Sequence, residues 1–221
     1  EKIGCDIHSG FSCPGVTTAI STSRATAPFS ASAAARSVQS AVFGRCNPGA
    51  QRTFLGDWSS RFVAFQGGFG SGKTWVLARK GCVLAARTLA NGVAVSPTYQ
   101  HSKQVLMPAI SAAAEQLHLD PHYVSGDNVL LLRALPNPDS EHGCVVVYLR
   151  SADKGEAIVG FNAGWGIGDE PARWPRFPHD PKRDAMRMLE SRLRDAKAGG
   201  QLCFATTPEG RGEWWHEWEE K

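Results

Sequence analysis

The stretch "RFVAFQGGFGSGKTWVLARK", residues 61–80, limits the possible folds more than any other part of the chain. A short apolar run, "RFVAFQ", ends in glycines and reads as a buried strand. From Lys73 to about Leu89, apolar residues return at helical spacing, with Val76, Leu77, Val83 and Leu84 on one side. Between the two, Gly67-x-x-x-x-Gly72-Lys73-Thr74 meets every fixed position of a P-loop, which cradles phosphates. Gly67, Gly68, Gly70 and Gly72 would let the backbone turn through positive φ and approach the anion closely. Phe69 and Ser71 fill the remaining loop positions and would present their N–H groups to it. The following helix adds its positive end. Lys73 would reach the β- and γ-phosphates, and the Thr74 hydroxyl would ligate Mg²⁺.

The elements around this loop define the fold class. "GVAVSPTY" (92–99) is a second strand stopped by Pro97, and His101 to Leu117 reads as a helix. "NVLLLRA" and "CVVVYLR" are strands divided by "LPNPDSEHG", hence a hairpin or an adjacent pair. Another strand, rich in glycine, lies within Ile158–Glu170. "EPARWPRFPHDP" holds too many prolines for a regular helix. Arg183 to Arg194 then reads as a helix with Met186, Leu189 and Leu193 on one stripe. "QLCFATTP" is a last strand and "GEWWHEWEE" a short terminal helix. Strands alternating with helices predict an α/β domain, a P-loop NTPase with a mostly parallel central sheet flanked by helices. Residues 1–46 differ in composition: Ser-, Thr- and Ala-rich, with no Asp or Glu between Ile7 and Ala50. They read as a poorly ordered leader before an ATPase domain spanning 47–221.

A P-loop alone does not separate kinases, GTPases, transporters and DNA motors. The acids do more. "GWGIGDE" ends in Asp169-Glu170, 96 residues beyond Lys73 (169 minus 73). An acid at a strand end would hold the Mg²⁺ shell, and the Glu after it would polarise an attacking water. Asp169 takes the first role and Glu170 the second. An adjacent Asp-Glu pair favours an additional-strand, RecA-like ATPase over a GTPase or a small-molecule kinase. Thr206 and Thr207 close a strand, where hydroxyls would sense the γ-phosphate or its water. Gln51, upstream of the first strand, offers a carboxamide that donates to and accepts from an adenine edge.

Composition excludes little else. No run reaches the ~18 uncharged apolar residues a membrane helix needs. A net charge of +3 is too small to argue by itself for a polyanion partner. The six cysteines form no Cys-x-x-Cys and no zinc-like cluster. Cys82, Cys144 and Cys203 lie inside apolar runs, which suits free thiols in a reducing compartment. A Cys5–Cys13 bridge would be the exception.

The order of these parts resembles the ATPase domain of the large terminase of tailed bacteriophages or prophages. The resemblance runs from about Asn47 to Trp218 and rests on "NPGAQRTFL", "GGFGSGKT", "VAVSPTYQHSK", "RSADKGEAIVGFNAGWGIGDE" and "LCFATTPEGRGEWWHEW". It implies a motor that hydrolyses ATP with Mg²⁺ to drive double-stranded DNA into a capsid. Implied partners are a small terminase subunit, the capsid portal and further copies in a ring. The implied location is the cytoplasm of a bacterial host, transiently at the procapsid. Residues Gly67, Gly72, Lys73 and Thr74 then bind phosphates and Mg²⁺. Asp169 and Glu170 are the Walker B acid and catalytic carboxylate, Thr206 and Thr207 the coupling pair, and Gln51 the adenine contact.

Two features depart from that family. The Walker B strand is rich in glycine, and the P-loop lacks the Arg that some members use as an arginine finger. Arg183, Arg187, Arg192 and Arg194 are candidates to act on a neighbouring subunit. Family members also usually continue into an RNase H-like nuclease domain, and no such segment is legible before Lys221. Two other readings stay open: a helicase-like ATPase on nucleic acid, and a nucleotide-binding assembly module without turnover from a degraded prophage copy.

Overall fold

A computed structural model describes residues 18–22, 33–177, 179–180, 182–194 and 200–208. Among the described residues, eight strands form one sheet, in the order β1-β2-β8-β7-β3-β6-β5-β4. In chain order they are β1 (Thr18–Thr22), β2 (Phe62–Gln66), β3 (Gly92–Ser96) and β4 (Pro121–Val124). The rest are β5 (Val129–Pro136), β6 (Cys144–Ser151), β7 (Trp165–Asp169) and β8 (Gln201–Thr206). The middle of the sheet, β2-β8-β7-β3-β6, is parallel throughout. The antiparallel pairs are at the edges: β1 on β2, and β5 and β4 beyond β6. β8 therefore lies between the strand that feeds the phosphate loop and the strand that ends in the acids. That inserted strand is the additional-strand arrangement expected from the Asp-Glu pair.

Helices cover both faces because the parallel strands are apolar on both sides. Val63, Phe65, Ala94, Trp165, Ile167, Cys203 and Ala205 face one core. It is closed by α2 (Ala50–Gly56), α3 (Lys73–Thr88) and α5 (Met107–Gln116). Ala64, Val93, Val95, Leu202 and Phe204 face the other core, closed by α6 (Ala185–Arg192) with Met186 and Leu189 buried. Alternate residues of one strand thus serve opposite layers, as the pleat requires.

Three findings depart from the sequence reading. First, α1 (Ala33–Phe43) is a helix, with Val38 and Val42 buried in the α3-side core. It falls within the segment expected as a leader through residue 46, of which residues 1–17 and 23–32, with the Cys5–Cys13 pairing, lie outside the described residues. The missed signal is Ala35, Val38 and Val42 at helical spacing in a segment dominated by small residues. Second, the helix expected from His101 starts earlier, as α4 (Tyr99–His101) capped by Thr98 Oγ1, which accepts from His101 N at 3.2 Å. It runs through a π-helical turn, Ser102–Leu106, into α5. Third, the positive φ expected at four loop glycines occurs at Gly70 and Gly72, and not at Gly67 or Gly68. The expected terminal helix "GEWWHEWEE" lies outside the described residues. The cysteines at 46, 82, 144 and 203 are free thiols, and burial pushes Cys82 and Cys203 up to about 12.

Candidate nucleotide-binding site

The C-terminal ends of parallel strands are where such sheets bind ligands, and the expected residues gather there. The loop leaves β2 and is tied at once to the neighbouring strand, where Gly67 N donates to Thr206 O at 3.1 Å. Gly70 (φ 76°) and Gly72 (φ 81°) turn it into α3, whose first residue is Lys73. Glycine at 72 is required twice. The left-handed backbone favours it, and an added Cβ would sit 2.8 Å from Gln51 Nε2. Thr74 follows in the first turn of α3, half-buried.

Lys73 is buried, and its ammonium donates to Gly68 O at 3.0 Å and lies 3.7 Å from Glu170 Oε1. Phe69, by contrast, is 87% exposed at the crest of the loop, with the Lys73 ammonium 5.7 Å from its ring centre. Gln51 is buried against the loop from α2. Its Nε2 donates to Ser71 O at 3.0 Å, and its Oε1 accepts from Asn47 N at 2.9 Å. The Ser71 hydroxyl is buried without a hydrogen-bond partner.

Asp169 ends β7, fully buried, in register with Ala205 of β8. Its Oδ2 contacts His101 Nε2 at 2.8 Å, while its Oδ1 has no hydrogen-bond partner. Glu170 follows in a left-handed conformation, φ 46° and ψ 53°. Such a conformation costs a non-glycine residue on the order of 1–3 kcal/mol. It is held by its own N–H, which donates to Ala205 O at 2.7 Å, and by Thr207. Thr207 N donates to Glu170 Oε2 and Thr207 Oγ1 to Oε1, both at 2.8 Å. Thr206 is fully buried, with its hydroxyl 3.4 Å from Thr207 O.

The glycine-rich acid strand has a packing cause. A Cβ at Gly166 would lie 2.6 Å from Leu202, and one at Gly168 would lie 2.6 Å from Phe204 and 2.8 Å from Trp174. Large side chains on β8 and after β7 fill the volume that bulky residues on β7 would take. Trp174 Nε1 also donates to Asp169 O at 2.9 Å, pinning the strand end.

His101 was not among the expected site residues. Its hydrogen bond to Asp169 raises its pKa above the ordinary value, against the opposing effect of burial. The sequence offered only a polar ring soon after a strand, with no spacing that ties it to the acids. The four arginines considered for trans action are not gathered here. Arg183 stacks on Phe177 at 4.2 Å, and Arg187 is exposed on α6. Arg192 Nε and Arg194 Nε donate to Ser191, at 3.1 and 2.7 Å. Among the described residues no group of three or more His, Cys, Asp or Glu would hold a metal unaided. No described helix is long and apolar enough to cross a membrane.

Comparison with known proteins agrees with this architecture. The fold matches the Thermus phage P74-26 large terminase ATPase domain with a TM-score of 0.56 at 20% identity, over 80% of this chain and 70% of that one. It matches the large terminase of the thermophilic bacteriophage D6E with a TM-score of 0.57 at 16% identity, over 84% of this chain and 41% of that one. The same D6E protein in complex with ADP matches with a TM-score of 0.51 at 16% identity, over 79% and 38%. No curated protein matches the chain. The family model "Terminase large subunit, T4likevirus-type, N-terminal" matches residues 64–218, most of the chain and every strand from the phosphate loop onward. With its P-loop, inserted strand and adjacent acids in that order, this chain belongs to the terminase large-subunit family and carries its N-terminal P-loop NTPase fold.

Proposed function

We propose that this domain is the motor of a terminase, hydrolysing ATP with Mg²⁺ to move double-stranded DNA into a capsid. The observation that carries this is the meeting of three strand ends on one carboxylate: Lys73 from the loop after β2 and Thr207 from the end of β8 both contact Glu170 at the end of β7. The ADP complex of the D6E relative supports a nucleotide in this fold.

In this reading N–H groups between Gly68 and Thr74 line the phosphates, while that of Gly67 is taken by Thr206 O. Lys73 exchanges the Gly68 carbonyl for β- and γ-oxygens. Gln51 has one N–H and one lone pair left after its contacts to Ser71 and Asn47, enough for an adenine edge. Asp169 Oδ1 fits a hard cation, being a buried carboxylate oxygen without a hydrogen bond. One carboxylate and the Thr74 hydroxyl suit Mg²⁺, which takes its other ligands from phosphates and water. Thr74 and Asp169 would hold the ion, which would supply positive charge against the charge that develops on the phosphates. Glu170 orients the water for in-line attack on the γ-phosphate. Thr207, holding both Glu170 oxygens, links that carboxylate to the end of β8, so a shift there moves it. Thr206, joined to the loop through Gly67, senses the γ-phosphate from the other side.

DNA contact is to phosphates, hence salt-sensitive and nearly independent of sequence. An arginine from a neighbouring copy in a ring completes the site, and Arg183 and Arg187 are exposed enough to serve. The small terminase subunit and the capsid portal are the remaining partners, met in the bacterial cytoplasm and at the procapsid.

The test is ATP turnover with and without double-stranded DNA across a salt series. Turnover is expected to rise with DNA, to lose that rise as salt increases, and to fall at least 100-fold in Lys73→Ala, roughly the loss of a major transition-state contact. Parental turnover in Lys73→Ala, with no response to DNA, would overturn the reading.

A further inference from the structure

The geometry points to His101 as a positioning residue for the metal-binding carboxylate. This rests on the Mg²⁺-dependent reading of the same site. Asp169 has two oxygens in different circumstances. Oδ2 lies 2.8 Å from His101 Nε2, and Oδ1 is buried with no hydrogen bond. A carboxylate turns freely about its last bond unless one oxygen is held. His101 holds one, so the other is fixed in direction before any cation arrives. Hydrogen-bonded partners of this kind set the orientation of a metal ligand.

The imidazole is itself held in place. β3 stops at Ser96, Pro97 ends the strand, and Thr98 caps the first turn of α4. Thr98 Oγ1 accepts from His101 N at 3.2 Å, and Ser102 N donates to Thr98 O at 3.0 Å. The π-helical turn starts one residue later, at Ser102. π turns widen a helix locally and recur at functional sites. β3 pairs with β7 up to Val95 and Gly168, so the end of β3 runs beside the end of the acid strand. The ring spans that short gap. Its side chain is 31% exposed against 1% for Asp169, so the contact shields one oxygen of the carboxylate from water.

The experiment is a Mg²⁺ titration of fluorescent ATP-analogue binding to the full chain, comparing parent, His101→Ala, His101→Gln and Asp169→Asn. Binding in EDTA and thermal unfolding without metal are recorded for each. His101→Ala is expected to raise the half-saturating Mg²⁺ concentration by about 10-fold or more, the usual cost of losing such a partner. Its binding in EDTA stays within about twofold of parent, since no phosphate contact is lost. The Gln amide donates from a similar reach, so His101→Gln recovers most of the Mg²⁺ response. Asp169→Asn marks the loss of the ligand itself. A parental Mg²⁺ midpoint in His101→Ala overturns the inference and leaves the ATPase reading standing, as does a fall in melting temperature with that midpoint unchanged. A parent chain that binds nucleotide with no response to Mg²⁺ overturns both.

Discussion

Glu170 and Thr207 meet through two hydrogen bonds, and Glu170 keeps a left-handed backbone that a non-glycine residue avoids. A hydroxyl donating to a carboxylate is worth about 1.5–3 kcal/mol. If it orients Glu170 for catalysis, Thr207→Val lowers kcat about 10- to 100-fold with little change in KM, and Thr207→Ser stays near parent. Steady-state kinetics of both variants check this, and a parental kcat in Thr207→Val would contradict it. Lys80 gives a second residue-scale expectation. It is fully buried, with Nζ donating to Asp57 O at 2.6 Å and lying 3.7 Å from the Trp58 ring centre. Burial pushes its pKa down to about 8 from 10.5. Across that window the unfolded chain holds a proton that the folded chain has released, so stability rises with pH. The rise is on the order of 3 kcal/mol in size and flattens in Lys80→Met, as urea unfolding between pH 8 and 10 will measure. Lys73, Thr74, Asp169, Glu170 and the Thr pair could be proposed from the sequence because the chemistry expected of them fixes residue type and chain order, and the structure places them at one end of the sheet. His101 was not, because a lone His after a strand carries no spacing signal until the sheet brings β3 beside β7.

At the scale of elements, the acid strand shows why pattern reading found a departure without its compensation. Gly166 and Gly168 weaken β7 taken alone, yet Leu202 and Phe204 of the neighbouring strand occupy the space they leave. That exchange is visible only after strand order is known, since β8 follows β7 by more than thirty residues. Gly168→Ala places a Cβ 2.6 Å from Phe204 and 2.8 Å from Trp174, an overpacking expected to cost about 1–3 kcal/mol. Pairing it with Phe204→Leu is expected to recover part of that loss, read as non-additivity in a denaturant-unfolding cycle. Strictly additive losses would mean that the two positions do not share this space. The hairpin of β5 and β6, the helix after the P-loop and the last strand were read correctly, because each has a strong period and a clear stop.

For the whole molecule, the sheet order builds the site: strands distant in sequence end side by side, and the inserted β8 puts Thr206 and Thr207 between loop and acids. α1 belongs to this unit, although its composition reads as a leader. Val42 is 1% exposed in the same core as α3, so Val42→Asp is expected to destabilise the domain by about 2 kcal/mol or more, seen as a lower melting temperature. An unchanged melting temperature would separate α1 from the domain. The central claim is that these strand ends form one hydrolytic site, and Glu170→Gln tests it most directly, with nucleotide binding and turnover measured on the same sample. ATP-analogue binding is expected within about threefold of parent and turnover reduced at least 100-fold, because Gln keeps the shape but not the basicity of Glu170. Turnover at the parental rate would contradict it.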